Sequence, residues 1–147
     1  DWPVLLVNAH NAKAYAQWYS KRTGLDWRLP TCWQWEKAAR GVDGRRLPWG
    51  NYFEATWASV RGSQKGRVLP SSIYEHSLDQ SPYGVCGLAG NVQDFCTDPN
   101  QPELIFTKGG AWAHHPEFID MAIQRSFSLD TRLEVVGFRL VRSEPLE

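Results

Sequence analysis

Between Gly41 and Gly90 the chain loses every regular hydrophobic period, and no other feature narrows its fold as much. Glycine and proline punctuate the stretch at Pro48-Trp49-Gly50-Asn51, Gly62, Gly66, Pro70 and Ser81-Pro82-Tyr83-Gly84. So long a segment without regular elements is uncommon inside a compact domain. It is nonetheless rich in rings, with Trp49, Tyr52, Phe53, Trp57 and Tyr74 inside it. A large aromatic side chain buries roughly 150–250 Å². Ordered coil pinned by aromatic packing is therefore expected in place of disorder.

Two helices precede the coil. The first is expected from about Ala9 to Arg22, with Asn8 as cap, Ala12, Tyr15, Ala16 and Tyr19 as its inner stripe, and Gly24 as its stop. The second follows Arg28-Leu29-Pro30. Thr31 and Gln34 form a capping box, Cys32, Trp35, Ala38 and Ala39 make the buried stripe, and Gly41 ends it. Strand signals return late: Leu104 and Phe106 alternate with Ile105 and Thr107, and Phe138 and Leu140 alternate with Arg139 and Val141. The order predicts an α+β domain.

A chain of 147 residues bounds this to one domain, residues 1–147, and the start at Asp1 without a methionine suggests a piece of something longer. Its 16 basic and 16 acidic residues leave no cationic excess, which argues against nucleic acid as a partner. No apolar run approaches the ~20 residues of a membrane span, so membrane insertion is not expected. Cys32, Cys86 and Cys96 contain no C-x-x-C pair; reduced thiols in a cytoplasmic setting are expected, with a Cys86–Cys96 bridge left open. The glycine-rich run from Gly62 to Arg67 lacks the G-K-[ST] ending of a phosphate loop and reads as a solvated turn. His114 and His115 are neighbours, but no third metal ligand has recognisable spacing. No G-x-S-x-G elbow occurs, and Glu36, Asp94, Asp98 and Glu117 form no general acid/base pair.

Six blocks in order carry more information than any single residue: Asn11 to Trp18 (NAKAYAQW), Arg28 to Thr31 with Trp35 to Gly41 (RLPT, WEKAARG), Leu47 to Asn51 (LPWGN), Tyr83-Gly84 with Ala89 to Val92 (AGNV), Lys108 to Trp112 (KGGAW) and Gly137 to Arg142 (GFRLVR). Over nearly its whole length the chain resembles the formylglycine-generating enzyme family, the sulfatase-modifying-factor domain, whose usual N-terminal portion would lie upstream of Asp1. The resemblance implies a C-type-lectin-like fold, with two helices on short twisted antiparallel strands and much ordered coil. It also implies close backbone passage at Gly109 and Gly110, and makes Arg40, Arg125, Arg132 and Arg139 candidates for buried guanidinium clamps on carbonyls and carboxylates.

A shared fold does not carry chemistry with it. Oxidising members of that family hold copper through two cysteines downstream of the G-G-S motif, and soft thiolates suit Cu(I). Here residues 106–142 contain no cysteine; His114 and Ile119 stand nearest the expected pair, Ala111 replaces the serine, and Gln93 and Phe95 replace two tryptophans. No copper and no formylglycine synthesis are expected. The family's first calcium site would retain Gly90, Val92 and Asp94 but has Gly87 where a ligand side chain belongs; the second would have Ser59 and no acidic partner.

What the resemblance leaves is a non-catalytic recognition domain for a protein, peptide or small molecule, its groove lined by Trp112, His114, His115, Glu117, Phe118 and Arg132. The wording at residues 36–46 and 81–85 looks most like copies attached to bacterial Ser/Thr protein kinases, as sensor or substrate-recruiting modules, although this chain holds no kinase signature. Alternatives are the variable ligand-binding protein of a diversity-generating retroelement, an enzyme centred on His114 and His115, and a spacer with a filled groove.

Overall fold

The computed structural model describes residues 1–63, 66 and 68–143. Helix α1 (Ala9–Thr23) opens on a closed capping box: Asn8 accepts the Asn11 N–H, and the Asn11 side chain accepts the Asn8 N–H. Gly24, at φ 71°, ends it with its N–H on Ser20 O. The buried face is made of Ala9, Ala12 and Ala16, small enough to bring the helix close to the sheet. Tyr15 is too large for that approach and lies half-exposed, edge-on to Phe138 at 5.5 Å. Helix α2 (Cys32–Arg40) carries the expected Thr31–Gln34 capping box and stops at Gly41.

Between the helices β1 (Trp27–Arg28) pairs antiparallel with β6 (Val141–Arg142). The main sheet has the order β4-β3-β2-β5, formed by β4 (Gln124–Ser128), β3 (Leu104–Lys108), β2 (Gln93–Cys96) and β5 (Val136–Gly137). Phe95 faces Thr107 and Ile105 faces Phe127 across antiparallel pairs, while β2 and β5 run parallel. Alternate residues serve two cores. Phe95 and Ile105 pack with Ala9, Ala12, Leu29 and Val136; Cys96 and Phe106 pack with Trp35, Ala39, Leu88, Ile119 and Met121. Residues 105–108 are consequently buried on both faces, where alternation alone suggested one.

The expectations for the closing strand and for the ring-pinned coil need correction. The closing run does not form one strand: residues 138–140 leave the sheet so that Arg139 can turn inward between β5 and β6. Strands β2 and β4 carry no clear apolar alternation; β2 buries Gln93 and Asp94 by giving them partners. The middle coil is ordered, and Trp57 packs on Trp49 and Tyr52 at 5.7 and 5.4 Å. Tyr74, however, is 74% exposed and pins nothing by burial. The coil is held both by buried polar groups, Ser59, Ser71, Asp79 and Ser81, and by Leu47, Ala58, Val60 and Leu88 in the core. Cys86 is exposed, Cys32 and Cys96 are buried, and all three are free, so Cys86 and Cys96 do not pair. Of the run from Gly62 to Arg67, Gln64, Lys65 and Arg67 lie outside the described residues.

Candidate functional site

A polar chain runs through the side of the sheet that faces α2. Buried Asp94 accepts hydrogen bonds at Oδ2 from Trp35 Nε1 (2.8 Å) and Arg139 Nε (2.5 Å). Arg139 spends its remaining donors on Cys86 O and Gly87 O. Lys108 is fully buried; its ammonium lies over the Trp35 ring and bonds Glu36 Oε2 at 2.8 Å, while Glu36 Oε1 takes Arg40 at 2.6 Å. Burial would raise the Glu36 pKa, but the bonds from Lys108 and Arg40 outweigh it and hold the carboxyl below its ordinary value. Trp35, Glu36 and Arg40 of the WEKAARG block thus share one network.

The turn at residues 87–91 is fastened from below. Asp79 accepts the N–H groups of Ala89 and Gly90, and burial pushes its pKa up to about 6 against those bonds. Asn91, at φ 68°, clamps Ser71 in both directions, with Ser71 N–H donating to Oδ1 and Nδ2 donating to Ser71 O. Its carbonyl accepts the Trp112 N–H at 2.9 Å. A Cβ on Gly110 would overlap the Ala89 carbonyl, and one on Gly109 would lie 2.5 Å from Leu88 O, so both glycines permit the close passage expected of them.

That passage launches the loop between β3 and β4. Trp112, His114, His115, Glu117 and Phe118 all lie on it, the last two in a single 3-10 turn (Pro116–Phe118) that leaves them exposed. His114 O accepts the Arg61 N–H at 2.9 Å, and His115 Nε2 lies 3.3 Å from Arg61 Nη1. Burial, then the charge of Arg125, lowers the His114 pKa and favours its neutral ring. Among the described residues, the buried side-chain polar atoms without a partner are Trp112 Nε1, His114 Nδ1 and Thr107 Oγ1. Arg132 is engaged elsewhere: its Nη1 bonds Leu6 O and Asn11 Oδ1, tying the N-terminal segment to α1. Arg40 and Arg139 are partly buried clamps on carbonyls and carboxylates, whereas Arg132 bonds its carbonyl and amide oxygens from an exposed position. Arg125 is exposed on β4 and does not act as a buried clamp.

Residues 1–144 match the model of the sulfatase-modifying factor enzyme 1-like domain. The chain belongs to that family. Within the sulfatase-modifying-factor family it is 32% identical to a formylglycine-generating enzyme of Streptomyces coelicolor, covering 98% of this chain and 54% of that protein. It is 30% identical to the inactive C-alpha-formylglycine-generating enzyme 2 of Bos taurus, over 76% of this chain and 38% of that one. It is 35% identical to the serine/threonine-protein kinase pkn1 of Chlamydia pneumoniae, over 65% of this chain and 14% of the kinase. The chain therefore spans about half or less of the length of these relatives. The structure of PvdO from Pseudomonas aeruginosa shares the fold, with a TM-score of 0.82 at 24% identity over 97% of this chain and 62% of that one. The sulfatase-modifying-factor fold, α+β with sparse regular elements, is thus the one expected.

The residues present do not fit the family's copper. Ile119, nearest one expected thiolate, is a core side chain against Gly110, and His114 offers a half-buried imidazole in place of the other. Among the described residues, no three His, Cys, Asp or Glu side chains are grouped to hold a metal ion. The calcium set fares little better: Asp94 Oδ2 is shared by Trp35 and the Arg139 guanidinium. Gly90 O, Val92 O and Asp94 Oδ1 fall short of the six to eight oxygens that calcium takes. No helix among the described residues is long and apolar enough to cross a membrane. Sequence reasoning passed over Asp79 and gave Lys108 no role; a charged residue on a strand with apolar neighbours was the available signal for the latter.

Proposed function

We propose that this is a single, non-catalytic recognition domain, recruiting a protein or peptide to a larger bacterial signalling protein of the Ser/Thr kinase kind, in the cytoplasm. One observation carries the reading: the scaffold delivers Trp112 and His114 to the loop between β3 and β4 with Nε1 and Nδ1 buried and unpartnered. Buried polar atoms cost free energy when unsatisfied, and a bound ligand that supplies an acceptor to the indole N–H and a complementary group to the imidazole removes that cost. Exposed Phe118, with Glu117 and His115 beside it, adds apolar area and direction. Likeness to a kinase and to an inactive enzyme supports the same reading, as does the lack of cysteine in residues 106–142.

A displayed random-peptide library panned on the folded chain tests recognition. Enriched peptides should lose at least tenfold in affinity on Trp112→Phe and His114→Ala. Enrichment that ignores both substitutions, or none at all, refutes the site. Separately, the copper-supplemented chain should leave a sulfatase-derived cysteine peptide unoxidised; formation of its aldehyde would make the domain an enzyme.

A further inference from the structure

The start of α2 and the end of β2 are stitched together at a point the polar network does not use. The Cys32 N–H donates to Thr97 O at 3.0 Å, and the Thr97 N–H donates to Pro30 O at 2.9 Å, around a parallel bridge between Thr31 and Thr97. This brings two cysteines that are 64 positions apart in the chain into one core cluster. The two are not equivalent. Cys32 is 7% exposed and lines an open concavity of about 320 Å³ with Trp33, Glu36, Asp98, Ala122 and Gln124. Cys96 is fully buried, and its thiol lies 3.8 Å from Asp94 O.

Cys32 is also the first residue of α2, where the backbone dipole favours an anion, and the buried Lys108 ammonium lies on the same side. The contact with Cys96, acting against burial and aided by Lys108, lowers the Cys32 pKa. A thiol on the wall of an open concavity, with a lowered pKa and a second thiol in the same core cluster, has the layout of an attacking and a resolving cysteine.

We propose that Cys32 and Cys96 are a peroxide-responsive pair that closes to a disulfide and locks α2 to β2. The Cys32 thiolate attacks one oxygen of hydrogen peroxide or an alkyl hydroperoxide. The O–O bond breaks, water or alcohol leaves after taking a proton, and Cys32 becomes the sulfenic acid. Cys96 sulfur then attacks the Cys32 sulfur, the S–O bond breaks, and hydroxide departs as water with the Cys96 proton. Two thiols are oxidised by two electrons, and the peroxide is reduced by the same two.

Thiol-specific alkylation after treating the reduced, folded chain with hydrogen peroxide, followed by non-reducing peptide mapping, tests this. The three thiols of the chain should fall to one, with a Cys32–Cys96 linked peptide. Cys86→Ser should leave that link intact, because Cys86 is exposed and apart from the pair. In Cys96→Ser the Cys32 sulfenic acid should persist and be trapped by dimedone. If that core variant does not fold, mapping of the parent chain and of Cys86→Ser still decides. Oxidation of Cys86 alone, a link that includes Cys86, or Cys32 passing to the sulfinic acid with no link in the parent chain would overturn the proposal.

Discussion

Replacing Arg139 with Met should be the most costly single change in the polar chain. Asp94 is 3% exposed and would keep only the Trp35 N–H, while Cys86 O and Gly87 O would each lose a charged donor. Removing one partner of a buried ion pair costs ~3–5 kcal/mol. The Arg139 side chain is 29% exposed, so water offsets part of the loss and the lower end applies, about 3 kcal/mol. For a domain of this size that corresponds to a fall in Tm of roughly 6–12 °C. Urea unfolding followed by tryptophan fluorescence would measure it, and a cycle with Asp94→Asn would isolate the pairwise part, expected at about 1.5–3 kcal/mol. An Arg139→Met variant within about 1 kcal/mol of the parent, or a coupling below about 0.5 kcal/mol, would show that the pair is not what holds the turn to β2. The same experiment separates arginine from calcium as the cation of Asp94. Added calcium should leave the midpoint unchanged, and a calcium-dependent rise abolished by Asp94→Asn would assign the carboxylate to the metal.

Asp79 gives a pH signature of definite sign. Its folded pKa, about 6, lies above an ordinary aspartate, so its stabilising contribution is complete below about pH 4 and is lost as pH rises to about 6. The parent's stability relative to Asp79→Asn should fall by about 3 kcal/mol across that window in urea titrations, and a flat difference would refute the burial argument. Gly110→Ala, whose Cβ would strike the Ala89 carbonyl, should cost about 3 kcal/mol or more. Gly24→Ala, left-handed but with open space around it, should cost about 1 kcal/mol. The reverse order in chemical denaturation would mean that the two strands of backbone do not pass so closely.

Helix ends were legible because their physics is local. Asn8 with Asn11, Thr31 with Gln34, and the stops at Gly24 and Gly41 each involve residues within four positions of one another. The loop carrying Trp112 to Phe118 was legible as a departure from the block pattern around it. Arg132 was not correctly placed, because nothing in the run from 131 to 136 indicates that its guanidinium reaches back to Leu6 and Asn11. Strand β2 was missed since its buried Gln93 and Asp94 look like surface until Gly109 O, Trp35 and Arg139 are in place.

The amino-acid order alone determined two capped helices, a ring-rich coil between them and the late strands, and a stretch from 106 to 142 without a thiol to bind a soft metal. These follow from backbone hydrogen bonding and side-chain chemistry over a few neighbouring residues. Only the tertiary structure decided that Asp94 belongs to Arg139, that Asp79 fastens the turn below Trp112, and that Cys32 and Cys96 share one core cluster. Each of those partnerships joins groups from distant parts of the chain, or buries a charge whose cost depends on which neighbour arrives. Packing supplies the neighbour, and the residue types do not name it.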